Sequence, residues 1–225
     1  MQHFNKYQVV VFDVDGTILD TSEGILNSVR YTIDFFGLEP LSDEKLIRFI
    51  GPPIQNSFSV CYGFKGAILQ EIANVFRNHY KDIGLLKAVP YKGIYDMFEV
   101  LLNKGIETAI ATYKRQDYAE KIVQYFGFDK YTRVICGADN ENKLKKKDII
   151  EEALKKTNVC DWSKAVMVGD SDNDARGARD IGIDFIGVTY GFGFKTREDV
   201  NKFPNQGKAC DTIELQKILT GEYYI

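Results

Sequence analysis

Two aspartates placed two residues apart, Asp13 and Asp15, follow the apolar run VVVF at residues 9–12. A short run of β-branched and aromatic residues is typical of a buried parallel strand, whose two-residue period would place both carboxylates on one side. Two carboxylates about 4 Å apart repel by roughly 4 kcal/mol at an effective dielectric constant of about 20. A cation or a shared proton is therefore expected, and a reactive site is favoured over a pair of surface acids without a function.

A second acidic stretch, GDSDND at residues 169–174, follows another apolar run, and Thr112 follows a third. The acids supply only oxygen ligands, and Mg²⁺ is the hard cation that suits carboxylates beside a phosphate. A lysine from 145–147 could neutralise the same anion. These residue types describe phosphoryl transfer in which Asp13 attacks and Asp15 acts as acid and then base. Helix capping would also explain acids at 172–174 and Thr112, but not Asp170.

The elements that must position these residues alternate from residue 94 onward. Apolar runs predict strands, and amphipathic stretches between them predict helices. The predicted strands are 106–111, 131–136, 165–168 and 185–188, and the predicted helices are 94–102, 117–126, 148–155, 175–181 and 213–219. This alternation predicts an α/β, doubly wound parallel-sheet (Rossmann-like) core with its site outside the carboxyl ends of the strands.

Residues 19–87 differ from the rest, because helical spacing dominates there. Helices are predicted from Ser22 to Gly37 and over 42–49, 54–61 and 67–80. Such a block behind a parallel strand is longer than a single crossover. We therefore expect an inserted all-helical cap domain at 19–87, with the core formed by 1–18 and 88–225.

The bulk properties are those of an ordinary globular protein. The 225 residues are 44% hydrophobic and 27% charged, with a formal net charge of -3. This charge argues against binding to nucleic acid or to an anionic membrane. Residues 1–6 lack a signal-peptide core, and no apolar run approaches the roughly 18 residues of a membrane span. We expect a cytoplasmic protein, monomeric or homodimeric, whose four scattered cysteines are buried, reduced thiols.

The motifs DVDGT at 13–17, Thr112, a lysine in 145–147 and GDSDND at 169–174 resemble, in order, the four motifs of the haloacid dehalogenase superfamily of phosphatases. The stretch GVTYGFG at 187–193 and the sequence GPP at 51–53 look most like the phosphoglycolate phosphatase branch. The resemblance implies an aspartyl-phosphate on Asp13 and a general acid/base at Asp15. It also implies Mg²⁺ bound by Asp13, the main-chain carbonyl of Asp15 and Asp170, with Asp174 holding a metal-bound water or orienting the lysine.

The same resemblance implies that the cap closes over the site and selects the substrate, with Gly51 and Pro52 in that surface. Two departures from the family pattern stand out. Tyr113 replaces the asparagine of many relatives, which predicts a differently shaped phosphate pocket, and no Lys-Pro pair is present. Lys146, two residues before Asp148, fits a lysine-x-Asp-apolar variant and is favoured over Lys145 and Lys147.

The predicted function is a Mg²⁺-dependent phosphomonoesterase for a small phosphorylated metabolite, with phosphoglycolate and nucleoside 5'-monophosphates as leading substrates. A phosphosugar mutase would use the same mechanism. Two alternatives come from other classes. A phospho-receiver regulatory domain needs no helical lid and takes its phosphorylated aspartate from a later strand. A metabolite-binding protein without catalysis would not need both Asp13 and Asp15.

Overall fold

The computed structural model describes residues 6–141 and 143–222. The first five residues, part of the stretch in which no signal-peptide core was found, lie outside this range. The described strands are β1 (Val9–Phe12), β2 (Leu19–Asp20), β3 (Val89–Pro90), β4 (Glu107–Arg115), β5 (Val134–Ala138), β6 (Ala165–Gly169), β7 (Asp184–Val188) and β8 (Gly207–Ala209).

Four of the described α-helices form a block before β3, and the other six alternate with the strands after it. They are α1 (Ser22–Phe35), α2 (Asp43–Ile47), α3 (Ile54–Tyr62), α4 (Ile68–His79), α5 (Ile94–Asn103), α6 (Gln116–Tyr125), α7 (Lys146–Lys156), α8 (Asp172–Ile181), α9 (Arg197–Asn201) and α10 (Thr212–Thr220). A π-helical turn, Tyr80–Gly84, continues α4. None of these helices combines the length and apolarity needed to cross a membrane.

The main sheet has six parallel strands in the order β5-β4-β1-β6-β7-β8. Strand β1 lies between β4 and β6, so the chain order reverses on the two sides of β1. The side chains of β1 are divided between two apolar clusters, with Val10 and Phe12 in one and Val9 and Val11 in the other. Burial on both faces explains why this strand is continuously apolar rather than alternating. The predicted doubly wound α/β fold is confirmed.

Several elements differ from the sequence predictions. Strand β5 begins at Val134 rather than residue 131, and β4 continues to Arg115. Strand β8 and helix α9 were not predicted. The residues of β8, Gly-Lys-Ala, have weak strand propensity, and their pairing with β7 places them in the sheet. The two-residue strands β2 and β3 form an antiparallel pair, with Leu19 opposite Pro90.

The cysteines also differ from the prediction. Cys136 is buried, but Cys61 is half-buried and Cys160 and Cys210 are exposed. The prediction of four buried thiols is therefore wrong.

Between Ser22 and Gly84 every described element of secondary structure is a helix. We call residues 22–84 the helical segment. Its interior includes Phe49, Phe58 and Ile72, all nearly inaccessible to solvent. The pair of β2 and β3 flanks the two ends of the helical segment. The division into a cap at 19–87 and a core at 1–18 and 88–225 stays a prediction.

Candidate active site

Acidic side chains from two neighbouring strands meet at the carboxyl edge of the sheet. Asp13 follows β1, and its backbone N–H donates to Val168 O at 3.0 Å, while Asp170 follows β6. One carboxylate oxygen each from Asp13, Asp170 and Asp174 lies within 4.8 Å of the others, and all three residues are buried. The fold therefore brings together acids that are more than 150 residues apart in the chain.

The loop after β7 holds Asp170 in place. Asp170 Oδ2 accepts hydrogen bonds from the backbone N–H groups of Phe192 at 2.6 Å and Gly193 at 3.0 Å. Gly16 has a φ of 76°, and a Cβ at this position would overlap the carboxylate of Asp170. The glycine of the first motif is thus required both by its left-handed backbone and by its contact with the acid.

Asp174 combines a structural role with its place in the acidic cluster. Its Oδ2 accepts hydrogen bonds from the backbone N–H of Ser171 at 3.1 Å and from the Ser171 hydroxyl at 2.6 Å, which caps the start of α8. Its Oδ1 lies 2.8 Å from Lys146 Nζ. Asp174 therefore caps α8 through one carboxylate oxygen and contacts Lys146 through the other.

Lys146 is the cationic member of the cluster. Its Nζ donates to Asp13 Oδ1 at 2.6 Å, and the side chain is buried. Lys145 is exposed and Lys147 is half-buried. Lys146 is the first residue of α7, so the start of this helix delivers its ammonium group to the end of β1. Of the three candidate lysines, Lys146 is the one that the structure brings to Asp13.

The charges of this cluster favour a bound cation. Burial raises the pKa of Asp13, and Asp174 and Asp15 raise it further, whereas the Lys146 ammonium opposes the shift. Burial, followed by the charges of Asp174 and Asp13, raises the pKa of Asp170 to about 8. One ammonium group does not balance three carboxylates. An all-oxygen donor set with excess negative charge fits a hard divalent cation such as Mg²⁺.

Asp15 belongs to a separate group of side chains. Its Oδ1 lies 2.9 Å from Lys114 Nζ and accepts a hydrogen bond from the Thr21 hydroxyl. Lys114 Nζ also donates to Tyr80 OH at 2.7 Å. Strand β1 ends at Phe12, so the two-residue strand period does not extend over Asp13 and Asp15. Their carboxylates have different cationic partners, which differs from the single shared face that the sequence predicted.

A bulge in β4 presents the residues of the second motif. Pairing with β5 shifts between Ala111 and Arg115, so the three residues between them face a single residue, Gly137. A Cβ on Gly137 would crowd the carbonyl oxygen of Lys114. The bulge therefore interrupts the regular side-chain alternation of β4 at Thr112, Tyr113 and Lys114. Lys114 was given no role from the sequence, although it directly follows the motif residues.

Thr112 and Tyr113 make different contacts within this bulge. Thr112 is fully buried, and its Oγ1 accepts a hydrogen bond from the backbone N–H of Lys114 at 3.3 Å. Tyr113 OH accepts one from the backbone N–H of Lys146 at 2.9 Å. The tyrosine that departs from the family pattern thus supports the helix start that carries the lysine.

A cavity of about 80 Å³ lies between the helical segment and the sheet edge. The predicted substrate-binding residues Gly51, Pro52 and Tyr113 lie in its wall, together with Asp15 and Lys114. The wall does not include Thr112, Lys146, Asp13 or Asp170. The cavity therefore adjoins the Asp15 group rather than the acidic cluster.

The sequence model of the haloacid dehalogenase-like hydrolases matches residues 10–188, more than half of the chain. The chain belongs to this family. It is 32% identical over 215 residues to a 5'-nucleotidase of Pseudomonas aeruginosa, covering 95% of this chain and 96% of that protein. It is 28% identical to a phosphoglycolate phosphatase of Agrobacterium fabrum, covering 82% of this chain and 81% of that protein.

The fold is also similar to solved structures of the family. A predicted phosphatase from Clostridium acetobutylicum superposes with a TM-score of 0.87 at 31% identity, over 94% of this chain and 97% of that protein. The prediction of a haloacid dehalogenase-like phosphatase is confirmed, both in family and in enzyme class. As a haloacid dehalogenase-like phosphatase, the protein acts on phosphate esters.

Proposed function

We propose that this haloacid dehalogenase-like phosphatase is a Mg²⁺-dependent phosphomonoester hydrolase that forms an aspartyl-phosphate on Asp13. The observation that supports this most strongly is the buried contact of Lys146 Nζ with Asp13 Oδ1 at 2.6 Å, beside Asp170 and Asp174. A carboxylate that is desolvated, held by an ammonium group and placed at a sheet edge has the properties of a nucleophile. A purely structural ion pair would not require three buried acids around one lysine.

Asp13, Asp170, Asp174 and the main-chain carbonyl of Asp15 would hold the cation. When bound, Mg²⁺ would neutralise the carboxylates and polarise a phosphoryl oxygen. Lys146 orients Asp13 and favours its ionised form, because its ammonium opposes the rise in the pKa of the Asp13 carboxyl that burial causes. Thr112 and Lys146 would bind the phosphoryl oxygens.

Asp15 would supply and then remove the proton. An Asp13 oxygen attacks phosphorus, the ester P–O bond breaks, and the Asp15 proton passes to the leaving oxygen. Asp15 then accepts a proton from water, whose oxygen attacks phosphorus and releases phosphate from Asp13. The two acids have separate cationic partners, Lys114 for Asp15 and Lys146 for Asp13, so each can act without sharing one ammonium group.

The helical segment would act as the cap that selects a small phosphorylated metabolite. Gly51, Pro52 and Tyr113 support this role, since they line the cavity that adjoins Asp15. Phosphoglycolate and nucleoside 5'-monophosphates are the substrates proposed, in line with the names of two relatives. A cytoplasmic location and a monomeric or homodimeric state stay predictions.

A phosphate-release screen across phosphorylated metabolites, with Mg²⁺ and with EDTA, tests this proposal. We expect release that requires Mg²⁺ and that falls by several orders of magnitude in an Asp13→Asn variant. Retained turnover in that variant would count heavily against covalent catalysis. A phosphosugar isomer formed without phosphate release would indicate the mutase instead, and a long-lived phosphoprotein would indicate a receiver domain.

A further inference from the structure

Three cationic side chains lie in the wall of the cavity beside Asp15, and two of them have carboxylate partners. Lys114 pairs with Asp15 at 2.9 Å, and Arg115 Nη2 donates to Asp117 Oδ2 at 2.6 Å. The third is Arg77 of α4. In the described part of the chain, no carboxylate oxygen lies within 4.0 Å of an Arg77 nitrogen. Its charge therefore lacks a direct counter-ion there.

Neutral oxygen atoms orient the Arg77 guanidinium. Its Nη1 donates to the backbone oxygen and Oδ1 of Asn140 at 2.8 and 2.9 Å, and Nη2 donates to Gln55 Oε1 at 3.4 Å. Burial, and then the charge of Arg115, lower the pKa of Arg77. A ligand anion in the cavity would stabilise the charged guanidinium against both effects. It would also accept charge-assisted hydrogen bonds from the planar group.

Asp139 is the other acid in the cavity wall, and its oxygens are already engaged. They accept hydrogen bonds from the backbone N–H groups of Glu141 at 2.6 Å, Lys143 at 3.0 Å and Leu144 at 2.7 Å. Although burial opposes the shift, these hydrogen bonds lower the pKa of Asp139. Asp139 thus holds its own loop, and its charge acts on Arg77 only from beyond ion-pair distance.

The cavity volume indicates the size of the group that would link this anion to the rest of the substrate. A buried water needs about 10–15 Å³ measured in this way, so a cavity of about 80 Å³ has room for roughly five to eight water-sized groups. That space suits the carbon skeleton of a short acid. Asp15 lies in the wall but Asp13 does not, so the leaving group of the ester would face the cavity.

We infer that Arg77 binds a second anionic group, a carboxylate or a second phosphoryl group, on a short phosphate ester whose transferred phosphoryl group lies at Asp13. This inference rests on the proposed function and narrows its substrate class to short esters with two anionic ends. Because Arg77 belongs to the helical segment and Asp13 to the sheet, such a substrate would bridge the two.

The test compares substrates that differ only in the second charge. Phosphate release is measured from 2-phosphoglycolate and from the phosphate ester of glycolamide, in which a neutral amide replaces the carboxylate. Pyrophosphate and AMP complete the series. The variants are Arg77→Met, Arg77→Lys and, as a matched control, Arg30→Met. Arg30 is an exposed arginine of the same helical segment and lies outside the cavity wall.

We expect Arg77→Met to lower kcat/KM for 2-phosphoglycolate about 10- to 100-fold more than for the glycolamide ester. The same extra loss is expected for pyrophosphate if Arg77 binds a second phosphoryl group. Arg77→Lys should retain part of this discrimination, and Arg30→Met all of it. An equal loss on both esters would overturn the inference, because a mere tether between α4 and Asn140 would act on all substrates alike. A wild-type preference for AMP over every short ester would also overturn it.

Binding separates this inference from the proposed function. In an Asp13→Asn background, calorimetry measures 2-phosphoglycolate binding with and without Arg77→Met. If this binding depends on Arg77 while the wild-type protein releases no phosphate, the anion site is supported and the hydrolase is refuted. Phosphate release with no Arg77-dependent difference in binding or rate would support the hydrolase and refute the anion site.

Discussion

Lys114 Nζ lies 2.9 Å from Asp15 Oδ1 and 2.7 Å from Tyr80 OH, so one buried ammonium group joins the end of β4 to the helical segment. Asp15 and Tyr80 together raise the pKa of Lys114 even though burial opposes its charge. This contact gives Asp15 a cation of its own, separate from the Lys146 that faces Asp13. The two aspartates of the first motif are thereby placed in different electrostatic surroundings.

Replacing Lys114 by methionine should destabilise the fold strongly. The change leaves the Asp15 carboxylate buried without its cation, a loss of about 3–5 kcal/mol for a pair of this kind. Lys156→Met is the control, because Lys156 pairs with Glu152 at 2.6 Å on an exposed helix face, where such pairs contribute about 0.3–0.5 kcal/mol. Urea unfolding measures both variants. Similar, small losses would show that the Lys114 pair does not stabilise Asp15.

Asp15→Asn should slow the reaction in a way that depends on the leaving group. General acid catalysis contributes about 10²- to 10⁴-fold, and an alkyl phosphate needs this protonation more than p-nitrophenyl phosphate does. We expect a much larger fall in kcat for the alkyl ester. Steady-state assays on both substrates provide the measurement, and an equal fall would remove Asp15 from the role of acid.

The stability of the metal-free protein should fall as the pH rises from about 4 to about 8. Burial, with Asp174 and Asp13, raises the pKa of Asp170 from 3.8 to about 8 in the folded protein. The folded state therefore keeps a proton that the unfolded chain releases near pH 4, and the stability gained from that proton is lost through this range. Urea midpoints in EDTA at a series of pH values measure the effect.

Two controls accompany this pH series. Asp170→Asn removes one of the two carboxyls of the cluster whose pKa is raised and should make the dependence shallower, while Asp13, with a pKa raised to about 7, keeps the remainder. Excess Mg²⁺ should also reduce it, because the cation takes the place of the proton among the carboxylates. Stability that rises across the same range in EDTA would contradict the assigned surroundings of Asp170.

The sequence predicted what depends on local pattern. The apolar runs at 9–12 and 165–168 are buried on both sheet faces, so their composition alone indicates strands, and the acids that follow them reach one edge. The role of Lys114 could not be predicted, because its partner Tyr80 comes from a helix that is distant in the sequence. The strand β8 and the bulge in β4 arise from pairing with a neighbouring strand, and their own residues carry no strong signal for either.

Gly16→Ala should weaken both stability and metal binding. Gly16 has a φ of 76°, and a Cβ there would overlap the Asp170 carboxylate, so the substitution combines backbone strain with displacement of an acid. Gly105→Ala is the matched control, since Gly105 has a φ of 69° and open space around it. Backbone strain of this kind costs about 1–3 kcal/mol in either variant.

Calorimetric titration with Mg²⁺ distinguishes the two glycine variants. The affinity for Mg²⁺ should fall in Gly16→Ala and stay near the wild-type value in Gly105→Ala. Equal affinities in the two variants would show that Gly16 does not position Asp170 for the cation.

Acid quenching during turnover, followed by mass spectrometry of the peptide that contains Asp13, tests directly whether Asp13 takes the phosphoryl group. Mg²⁺ and a phosphate ester are mixed with the wild-type protein and with the Asp13→Asn variant, and the quench preserves any acyl phosphate. We expect one phosphoryl group on Asp13 in the wild-type protein, and neither that group nor appreciable turnover in the variant. Rapid phosphate release by Asp13→Asn, or a phosphoryl group trapped on a different residue, would contradict this expectation.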